Sequence, residues 1–547
     1  MAISSPRATR RDFIRLSSTM GLAAGLAAAL AACGGGSSSS STGTASATAQ
    51  VTPDLARINK DGEIKAGISY EPNNAGYDPM KATAALNLSA DWHIFEGLTE
   101  LDLITREPYA ALGSDLPTMV DDTTYEVTLR EDAKFSDGTA VTTDDVVFSF
   151  ERVLDPANSS TYASFLPFLD KVEAKDDKTV TLKLKYAFSL VPERVSVVKI
   201  VPKAVVEADA EGFTNAPVGT GPYLLTDNGT STQTVVFERN DHYNGPRPAL
   251  AKKMTWQIMP DGTARSNALT SGVVQAIDSV AAADLAVYES PIQVSADPGF
   301  ALVFSMFNFK SKTMADVKAR QAVMYALDYD KICETGMSGL AIPATCFVQK
   351  EHPAYKEVST VYKRDLEKAK KLASEAGLTS LKLLVSDHGF FAAARPIIKE
   401  NLKEIGIDVA YDEQPSKKVY EIVDNDMDGS AWDVLVAPGD PSVFGNDADL
   451  LMRWWYSADL WTDTRMHWKG TEGYTAFQEL LDAGSPLEGE EQVAKWQEAF
   501  EAIAKEIPLY PLFHRKNPMA WNSETLSGYQ PVNFPGVAFI DVGTTVS

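Results

Sequence analysis

The sequence is poor in the residues that build disulfide scaffolds and transition-metal sites. Its 547 residues include only three cysteines and six histidines. No metal-ligand spacing relates the histidines, which are His93, His242, His352, His388, His467 and His514. We therefore expect no metal and no cofactor, and a small disulfide scaffold is excluded. A hydrophobic content of 44% is enough for a large buried core.

The sequence also lacks a cationic block. Acidic residues number 74 against 50 basic ones, for a formal net charge of −24. Nucleic acid is excluded as a partner, because binding to phosphates depends on clustered cations. Common enzyme motifs are missing too, since no H-E-x-x-H, G-x-S-x-G or Walker loop occurs. We expect a protein without catalytic activity; the alternative is a secreted hydrolase whose catalytic residues meet only in the folded chain.

Long apolar runs are missing except near the N-terminus. There the Ala/Leu/Gly-rich run of residues 16–32 follows a basic stretch with two adjacent arginines. This pattern predicts a signal peptide over residues 1–32. The paired arginines resemble a twin-arginine export motif, and an ordinary secretory signal is the alternative.

The signal peptide ends in a segment that resembles a lipobox. Leu-Ala-Ala-Cys at residues 30–33 predicts that Cys33 becomes a lipid-anchored N-terminus, although a free cysteine is the alternative. Residues 33–52 are rich in Gly, Ser, Thr and Ala, the composition of a flexible tether.

The remaining chain has the pattern of an α/β protein. Residues 125–129 and 179–184 alternate between polar and apolar side chains, as half-buried strands do. Residues 365–376 form an amphipathic pattern that ends at Gly377. Strands alternate with helices over residues 360–440, which predicts a mostly parallel sheet with helices on both faces. Ligands of such sheets bind at the carboxyl ends of the strands.

Four segments in a fixed order carry a family resemblance. They are YEVTLREDAKFSDGTAVTTDDVVFSFER at residues 125–152, PVGTGPY at 217–223, FERNDHY at 237–243 and PLYPL at 508–512. An ordered set of motifs is far more specific than any one of them. This set resembles the bacterial family 5 extracellular solute-binding proteins, the dipeptide-, oligopeptide- and nickel-binding receptors of ABC importers.

The resemblance implies an α/β, two-lobed periplasmic-binding-protein fold of the large three-subdomain type, with a hinge and an interlobe ligand cleft. Two chain crossings, near residues 304–308 and 510–513, would form the hinge. The implied parts are lobe 1 (53–98, 215–303 and 511–547), an inserted β-rich subdomain (99–214) and lobe 2 (304–510).

The resemblance also implies a function. The protein would be an exported receptor, anchored by lipid to the outer face of the cytoplasmic membrane and acting as a monomer. It would capture a peptide or peptide-like solute by hinge closure and deliver it to the permease and ATPase of an ABC importer. A sensory or adhesion lipoprotein on the same fold is the alternative, since fold alone does not set function.

The loop after a strand at residues 432–436 is the main candidate site. Peptide-binding members of the family hold the ligand's ammonium with an aspartate there, and alignment places that position near Ala437. Either Asp440 substitutes for it through a small shift of the loop, or the ligand lacks a free amine and the protein is not a standard dipeptide receptor. In the second case Asp440 is an ordinary turn residue before proline. The candidate ligand-binding residues are Tyr70, Glu71, Phe304, Asn308, Trp432, Asp440, Phe444 and Trp454.

Two further motifs leave alternatives open. Cys333 and Cys346 flank a loop that contains glycine and proline, and an oxidising compartment favours a disulfide between them over two buried thiols.

Residues 424–429, DNDMDG, resemble the start of a calcium loop, but Leu435 stands where a bidentate Glu is needed. A solvated turn is therefore favoured over a looser calcium site.

Overall fold

The computed structural model describes residues 51–72 and 76–546. Three sheets of seven, six and four strands organise this part of the chain. The predicted signal peptide, Cys33 and all but the last two residues of the predicted tether lie outside the described residues.

The seven-stranded sheet is built from both ends of the chain. Its central strand Glu63–Ile68 pairs in parallel with Lys253–Ile258 and with Ala276–Ile277. The strand order is Ile292–Ser295, Met519–Asn522, Ala276–Ile277, Glu63–Ile68, Lys253–Ile258, Thr234–Arg239 and Tyr223–Asn228.

The six-stranded sheet is mixed. Ser380–Ser386 pairs in parallel with both Asp408–Gln414 and Val434–Gly439, as the alternation of strands and helices predicts. Pro298–Phe307 pairs antiparallel with its two neighbours, so the prediction of a mostly parallel sheet holds only for three strands. The strand order is Ala341–Pro343, Leu509–Lys516, Pro298–Phe307, Val434–Gly439, Ser380–Ser386 and Asp408–Gln414.

The four-stranded sheet is antiparallel and lies within residues 99–214. Its order is Thr118–Asp121, Thr124–Thr128, Thr179–Leu184 and Leu169–Ala174. Two short pairs complete the sheets: Thr99–Leu101 with Pro108–Ala110, and Leu526–Ser527 with Gly543–Thr544.

Side-chain caps begin the helices that the sequence predicts most clearly. Thr142 and Asp145 form a capping box at the start of Thr143–Leu154. Asp365 caps Leu366–Glu375, which is followed by Gly377 at φ +67°, a backbone angle that glycine adopts without steric cost.

The other α-helices of the described residues are Ala85–Ile94, Val191–Arg194, Lys203–Ala208, Ala210–Asn215, Gly262–Thr270, Val317–Ala326, Tyr329–Lys331, Ala394–Glu404, Ser416–Asp424, Ala448–Tyr456, Glu472–Gly484 and Gly489–Glu506.

The chain passes twice between the two large sheets. Ile292–Ser295 belongs to the seven-stranded sheet and Pro298–Phe307 to the six-stranded one, so one passage falls at residues 296–297. The return falls at residues 517–518, between Leu509–Lys516 and Met519–Asn522. Residues 304–308 and 510–513, where the sequence predicts the crossings, lie mostly in paired strands of the six-stranded sheet.

Candidate functional site

Asp440 lies in the loop at the carboxyl end of Val434–Gly439. Its Oδ1 accepts hydrogen bonds from the Ser442 backbone N–H at 2.9 Å and from the Ser442 hydroxyl at 2.6 Å. These bonds cap the 3₁₀ turn Pro441–Val443. The residue is partly exposed, yet its Oδ2 is buried and has no hydrogen-bond partner among the described residues. One oxygen of Asp440 therefore holds the loop while the other is available.

Burial sets the protonation of this carboxyl. Loss of solvent raises the pKa of Asp440 to about 6, against the opposing effects of the Ser442 hydrogen bonds and of Arg515 and Arg106. Asp440 is thus predominantly ionised at pH 7, close to two guanidinium groups.

Arg106 connects a loop of residues 99–214 to the Asp440 loop. Its Nη2 donates a hydrogen bond to the Ser442 carbonyl at 2.6 Å. Its guanidinium lies 4.0 Å from the ring centroid of Phe534, a cation–π contact. Burial lowers the pKa of Arg106 to about 10, so the side chain stays cationic at neutral pH. Three segments distant in sequence therefore meet at Arg106.

Arg515 is the second cation of the site. It is 9% exposed, on the strand Leu509–Lys516, and its guanidinium lies 4.2 Å from the ring centroid of Phe390, whose side chain is exposed. Burial, followed by the positive charge of Arg515, lowers the pKa of His388 to about 4. His388 is thus neutral at pH 7, and its Nδ1 is hydrogen-bonded to the Ser386 hydroxyl.

Neither arginine is predicted from the sequence. Arg106 lies in a turn of ordinary polar composition, and its partners become neighbours only in the folded chain. Arg515 carries a weak signal, because it comes two residues after the buried apolar stretch of residues 507–513 and is itself buried in the same strand. A buried charge near the end of a strand is rare without a partner or a function.

Tyr70 and Glu71 follow the strand Glu63–Ile68 as predicted. Tyr70 is half-buried against the core of the seven-stranded sheet, and Glu71 is exposed. The neighbouring Ser69 donates to Asp278 from its backbone N–H at 2.8 Å and its hydroxyl at 2.6 Å. Their role in ligand binding stays a prediction.

Three predicted ligand residues are core residues in this structure. Phe304 is fully buried and lies 5.1 Å from the Trp455 ring. Asn308 Nδ2 donates to Asp426 Oδ2 at 3.1 Å and to the Trp432 carbonyl at 3.0 Å. Trp432 itself is 1% exposed. The packing of the six-stranded sheet encloses these three side chains, and their contact with a ligand stays a prediction.

Phe444 and Trp454 form an aromatic cluster with residues of the segment 99–214. Their ring centroids are 5.2 Å apart, and Phe165 lies 5.3 Å from the first and 5.6 Å from the second. Tyr162 lies 4.9 Å from Phe444. Both predicted residues are partly exposed, and their contact with a ligand stays a prediction.

A cavity of about 40 Å³ lies beside this cluster. Helix Ala85–Ile94, the segments 100–106 and 196–199, and the Asp440 loop surround it. Its polar lining comes from Asp91, Glu100, Arg106, Ser196 and Lys199, and its rings from Trp92, Tyr162 and Phe444.

The carboxylates of the DNDMDG loop have internal partners. Asp424 pairs with Arg465 at 2.6 Å, and Asp426 Oδ1 accepts from the backbone N–H groups of Ser430 and Ala431. Among the described residues no cluster of three or more His, Cys, Asp or Glu side chains is arranged to hold a metal ion.

Cys333 and Cys346 are free, buried thiols in this structure, which corrects the predicted disulfide. Cys333 lies on the π-helical turn Ile332–Gly336, whereas Cys346 is fully buried in the core of the same part of the chain. Burial raises the pKa of Cys333 to about 12 and that of Cys346 to about 11, so both stay protonated and unreactive at neutral pH.

Comparison with known proteins identifies the family. The model for bacterial extracellular solute-binding proteins, family 5, matches residues 107–475, more than half of the chain. The chain belongs to this family. The resemblance found in its motifs is thereby confirmed.

Two curated relatives illustrate the match to family 5. The glutathione-binding protein GsiB of Shigella dysenteriae is 26% identical over 485 residues, which cover 87% of this chain and 93% of GsiB. A Brucella ovis protein, named for peptide binding in an ABC transporter, is 27% identical over 327 residues. That match covers 58% of this chain and 61% of the relative, so it spans less than two thirds of the relative's length.

Solved structures show the same fold. AgaA from A. tumefaciens R10, in complex with agropinic acid, is 25% identical with a TM-score of 0.77, covering 89% of this chain and 99% of AgaA. The oligopeptide-binding protein AppA from Bacillus subtilis, in complex with a nonapeptide, is 21% identical with a TM-score of 0.76. The match covers 90% of this chain and 100% of AppA. The predicted fold class, a two-lobed periplasmic-binding-protein fold, is confirmed. No helix of the described residues is both long and apolar enough to cross a bilayer.

Proposed function

We propose that this protein is the solute-binding receptor of an ABC importer and that its ligand is a peptide or peptide-like solute. Family membership supports the receptor class, and the names of its relatives support the ligand class. AgaA, whose ligand in the solved structure is agropinic acid, extends the range of related ligands beyond plain peptides. The permease and ATPase of the importer are the partners, and the receptor acts as a monomer.

The division into lobes follows the sheets. Lobe 1 contains the seven-stranded sheet, lobe 2 the six-stranded sheet, and residues 99–214 are the inserted subdomain. We place the hinge at residues 296–297 and 517–518, where the chain leaves one large sheet for the other. The adjoining strands pair there, Pro298 opposite Lys516, so the two hinge segments lie side by side. Rotation about them opens and closes the cleft.

The observation that carries the ligand proposal is the unpartnered Oδ2 of Asp440 near two guanidinium groups. A ligand ammonium binds at Asp440 Oδ2, because a charge-assisted hydrogen bond satisfies the free acceptor. A ligand carboxylate binds at Arg515, whose guanidinium lies over the Phe390 ring, 4.2 Å from its centroid. The pair of opposite charges suits a zwitterionic solute.

Export and anchoring belong to the same proposal. The signal peptide directs the chain out of the cytoplasm, and acylated Cys33 holds it at the outer face of the membrane through the tether of residues 33–52. Labelling of cells with a fatty acid analogue tests this step. We expect label on the wild type and none on Cys33→Ser; label on both variants contradicts the assignment.

Thermal denaturation against a library of dipeptides, tripeptides, glutathione and opines tests the function. A ligand that binds only the folded protein raises Tm in proportion to its affinity and concentration. We expect at least one compound class to raise Tm with one-to-one stoichiometry in a calorimetric titration. Turnover of any compound without stable binding contradicts the receptor assignment and favours a hydrolase.

A further inference from the structure

The cavity beside the Asp440 loop is lined by a carboxylate, Asp91, with an oxygen that has no hydrogen-bond partner in the described part of the chain. Asp91, on the helix Ala85–Ile94, is 3% exposed. Its Oδ1 is buried and has no hydrogen-bond partner among the described residues. A buried carboxylate oxygen without a partner is costly, so its retention at a cavity wall points to a ligand that visits it.

The cations near Asp91 have other partners. Lys199 Nζ lies 2.6 Å from both carboxylate oxygens of Glu100, which neutralise it. Arg106 donates to the Ser442 carbonyl on the opposite side of the cavity. Burial raises the pKa of Asp91 well above its usual range, despite the nearby positive charge of Lys199. The carboxyl thus lacks the counterion that would stabilise its charged form.

The walls of the cavity suit an organic cation. Trp92, Tyr162 and Phe444 present aromatic rings to the same space as Asp91. Ring faces attract ammonium groups, and the attraction is stronger when the site is shielded from water. The volume of about 40 Å³ admits only a group of a few non-hydrogen atoms. The site is therefore sized for a charged head group rather than for a whole solute.

We propose that this cavity is a subsite for an ammonium group on the transported solute, with Asp91 as its counterion and the three aromatic rings as its walls. The proposal rests on the proposed function, because Val443 and Phe444 close the cavity from lobe 2 while Asp91 and Trp92 lie in lobe 1. The preferred solute then carries a basic group in addition to the amine held at Asp440. Lysine-containing peptides are the simplest members of this class.

The subsite is tested with methylammonium as the probe, independently of the natural ligand. Tm of the full chain is measured by calorimetry at pH 8 in ~0.2 M methylammonium chloride, sodium chloride or potassium chloride. We expect methylammonium to raise Tm by at least about 1 °C over both alkali salts, and Asp91→Asn to abolish the difference. The control Glu207→Gln, an exposed acid on Lys203–Ala208, should keep the full effect.

Three outcomes overturn the subsite. They are equal Tm values in all three salts, an effect of potassium as large as that of methylammonium, and an unchanged effect in Asp91→Asn. If Asp91→Asn does not fold, Trp92→Leu takes its place; it keeps the carboxylate, removes one ring, and should reduce the methylammonium effect.

A second arm separates this proposal from the proposed function. Calorimetric Kd values are compared for Ala-Lys and Ala-norleucine, which differ in the terminal ammonium. We expect Ala-Lys to bind at least about tenfold more tightly in the wild type and the preference to disappear in Asp91→Asn. Equal binding of both peptides overturns the subsite and leaves the receptor function intact. If no compound of the library binds but methylammonium still raises Tm, the receptor function is overturned and the cation site stands.

Discussion

At the scale of single residues, the two oxygens of Asp440 have different roles. Oδ1 caps the turn through hydrogen bonds from Ser442, whereas the buried Oδ2 has no hydrogen-bond partner among the described residues. Asp440 is a candidate from the sequence because the family resemblance implies an ammonium-binding aspartate in the loop after this strand. The sequence could not predict Arg106 or Arg515, since their approach to Asp440 depends on three segments more than 70 residues apart in the chain.

Asp440→Asn should weaken binding of an amine-bearing ligand by about 1.5–3 kcal/mol, because the charge-assisted hydrogen bond becomes a neutral one. Calorimetric titration measures the change. Asp137→Asn is the matched control: Asp137 accepts from the Thr139 N–H at 2.9 Å and hydroxyl at 2.6 Å, the arrangement of Asp440 and Ser442, but in an exposed turn. Equal Kd values for Asp440→Asn and the wild type would contradict ligand binding by Asp440 and leave it only its role in the turn.

The same substitution should stabilise the unliganded protein at alkaline pH. The folded pKa of about 6 lies above the ordinary value of 3.8, so the contribution of Asp440 to stability is fully present below pH 3.8 and is lost as pH rises through 6. Asn does not titrate. We expect Asp440→Asn to gain up to about 3 kcal/mol over the wild type between pH 4 and pH 8. A constant difference in Tm across this range contradicts the raised pKa.

At the scale of elements, a buried ion network joins the segment 99–214 to lobe 2. Arg194, at the end of Val191–Arg194, lies 2.5 Å from Asp447 and 3.1 Å from Asp449, and Asp449 pairs with Arg453 at 2.9 Å. Asp447 also caps the helix Ala448–Tyr456. Arg194 also donates a hydrogen bond to the Phe165 carbonyl. The network thus lies next to the aromatic cluster of Phe165, Phe444 and Trp454, where the segment 99–214 meets the helix Ala448–Tyr456.

Arg194→Met should destabilise the protein by about 3–5 kcal/mol, because the buried carboxylates lose a counterion. Urea denaturation followed by circular dichroism gives the free energy of unfolding. Lys171→Met is the control, since its ion pair with Glu173 has side chains 54% and 49% exposed and contributes little. A loss no larger than that of the control contradicts a structural role for the network.

Elements were predicted best where caps and periodicity agree. The amphipathic pattern of residues 365–376 is the helix Leu366–Glu375, which Asp365 caps and which ends just before Gly377. The strand predicted at 432–436 begins two residues later, at Val434. The two residues before it have other roles. Trp432 packs in the core, and the Asp433 carboxylate accepts a hydrogen bond from the Lys382 backbone N–H at 2.7 Å. The disulfide prediction was wrong because loop composition says nothing about the separate packing of the two thiols.

At the scale of the whole molecule, the ordered motifs predicted the family and the two-lobed fold, whereas the proposed hinge follows from which strands share a sheet. Strands Pro298–Phe307 and Leu509–Lys516 stay within one sheet along their length, a pairing that local sequence patterns do not reveal. Ligand binding should therefore close the lobes about residues 296–297 and 517–518. Small-angle scattering should show a smaller radius of gyration with ligand, and an unchanged value contradicts hinge closure.

The central claim is that the folded chain captures a small solute without altering it. Native mass spectrometry of the full chain, purified without added ligand and then incubated with the peptide library, tests this claim most directly. We expect a one-to-one complex that releases the solute with its mass unchanged after denaturation, and that is reduced in Asp440→Asn but not in Asp137→Asn. The absence of any complex, or release of a solute of altered mass, contradicts the account.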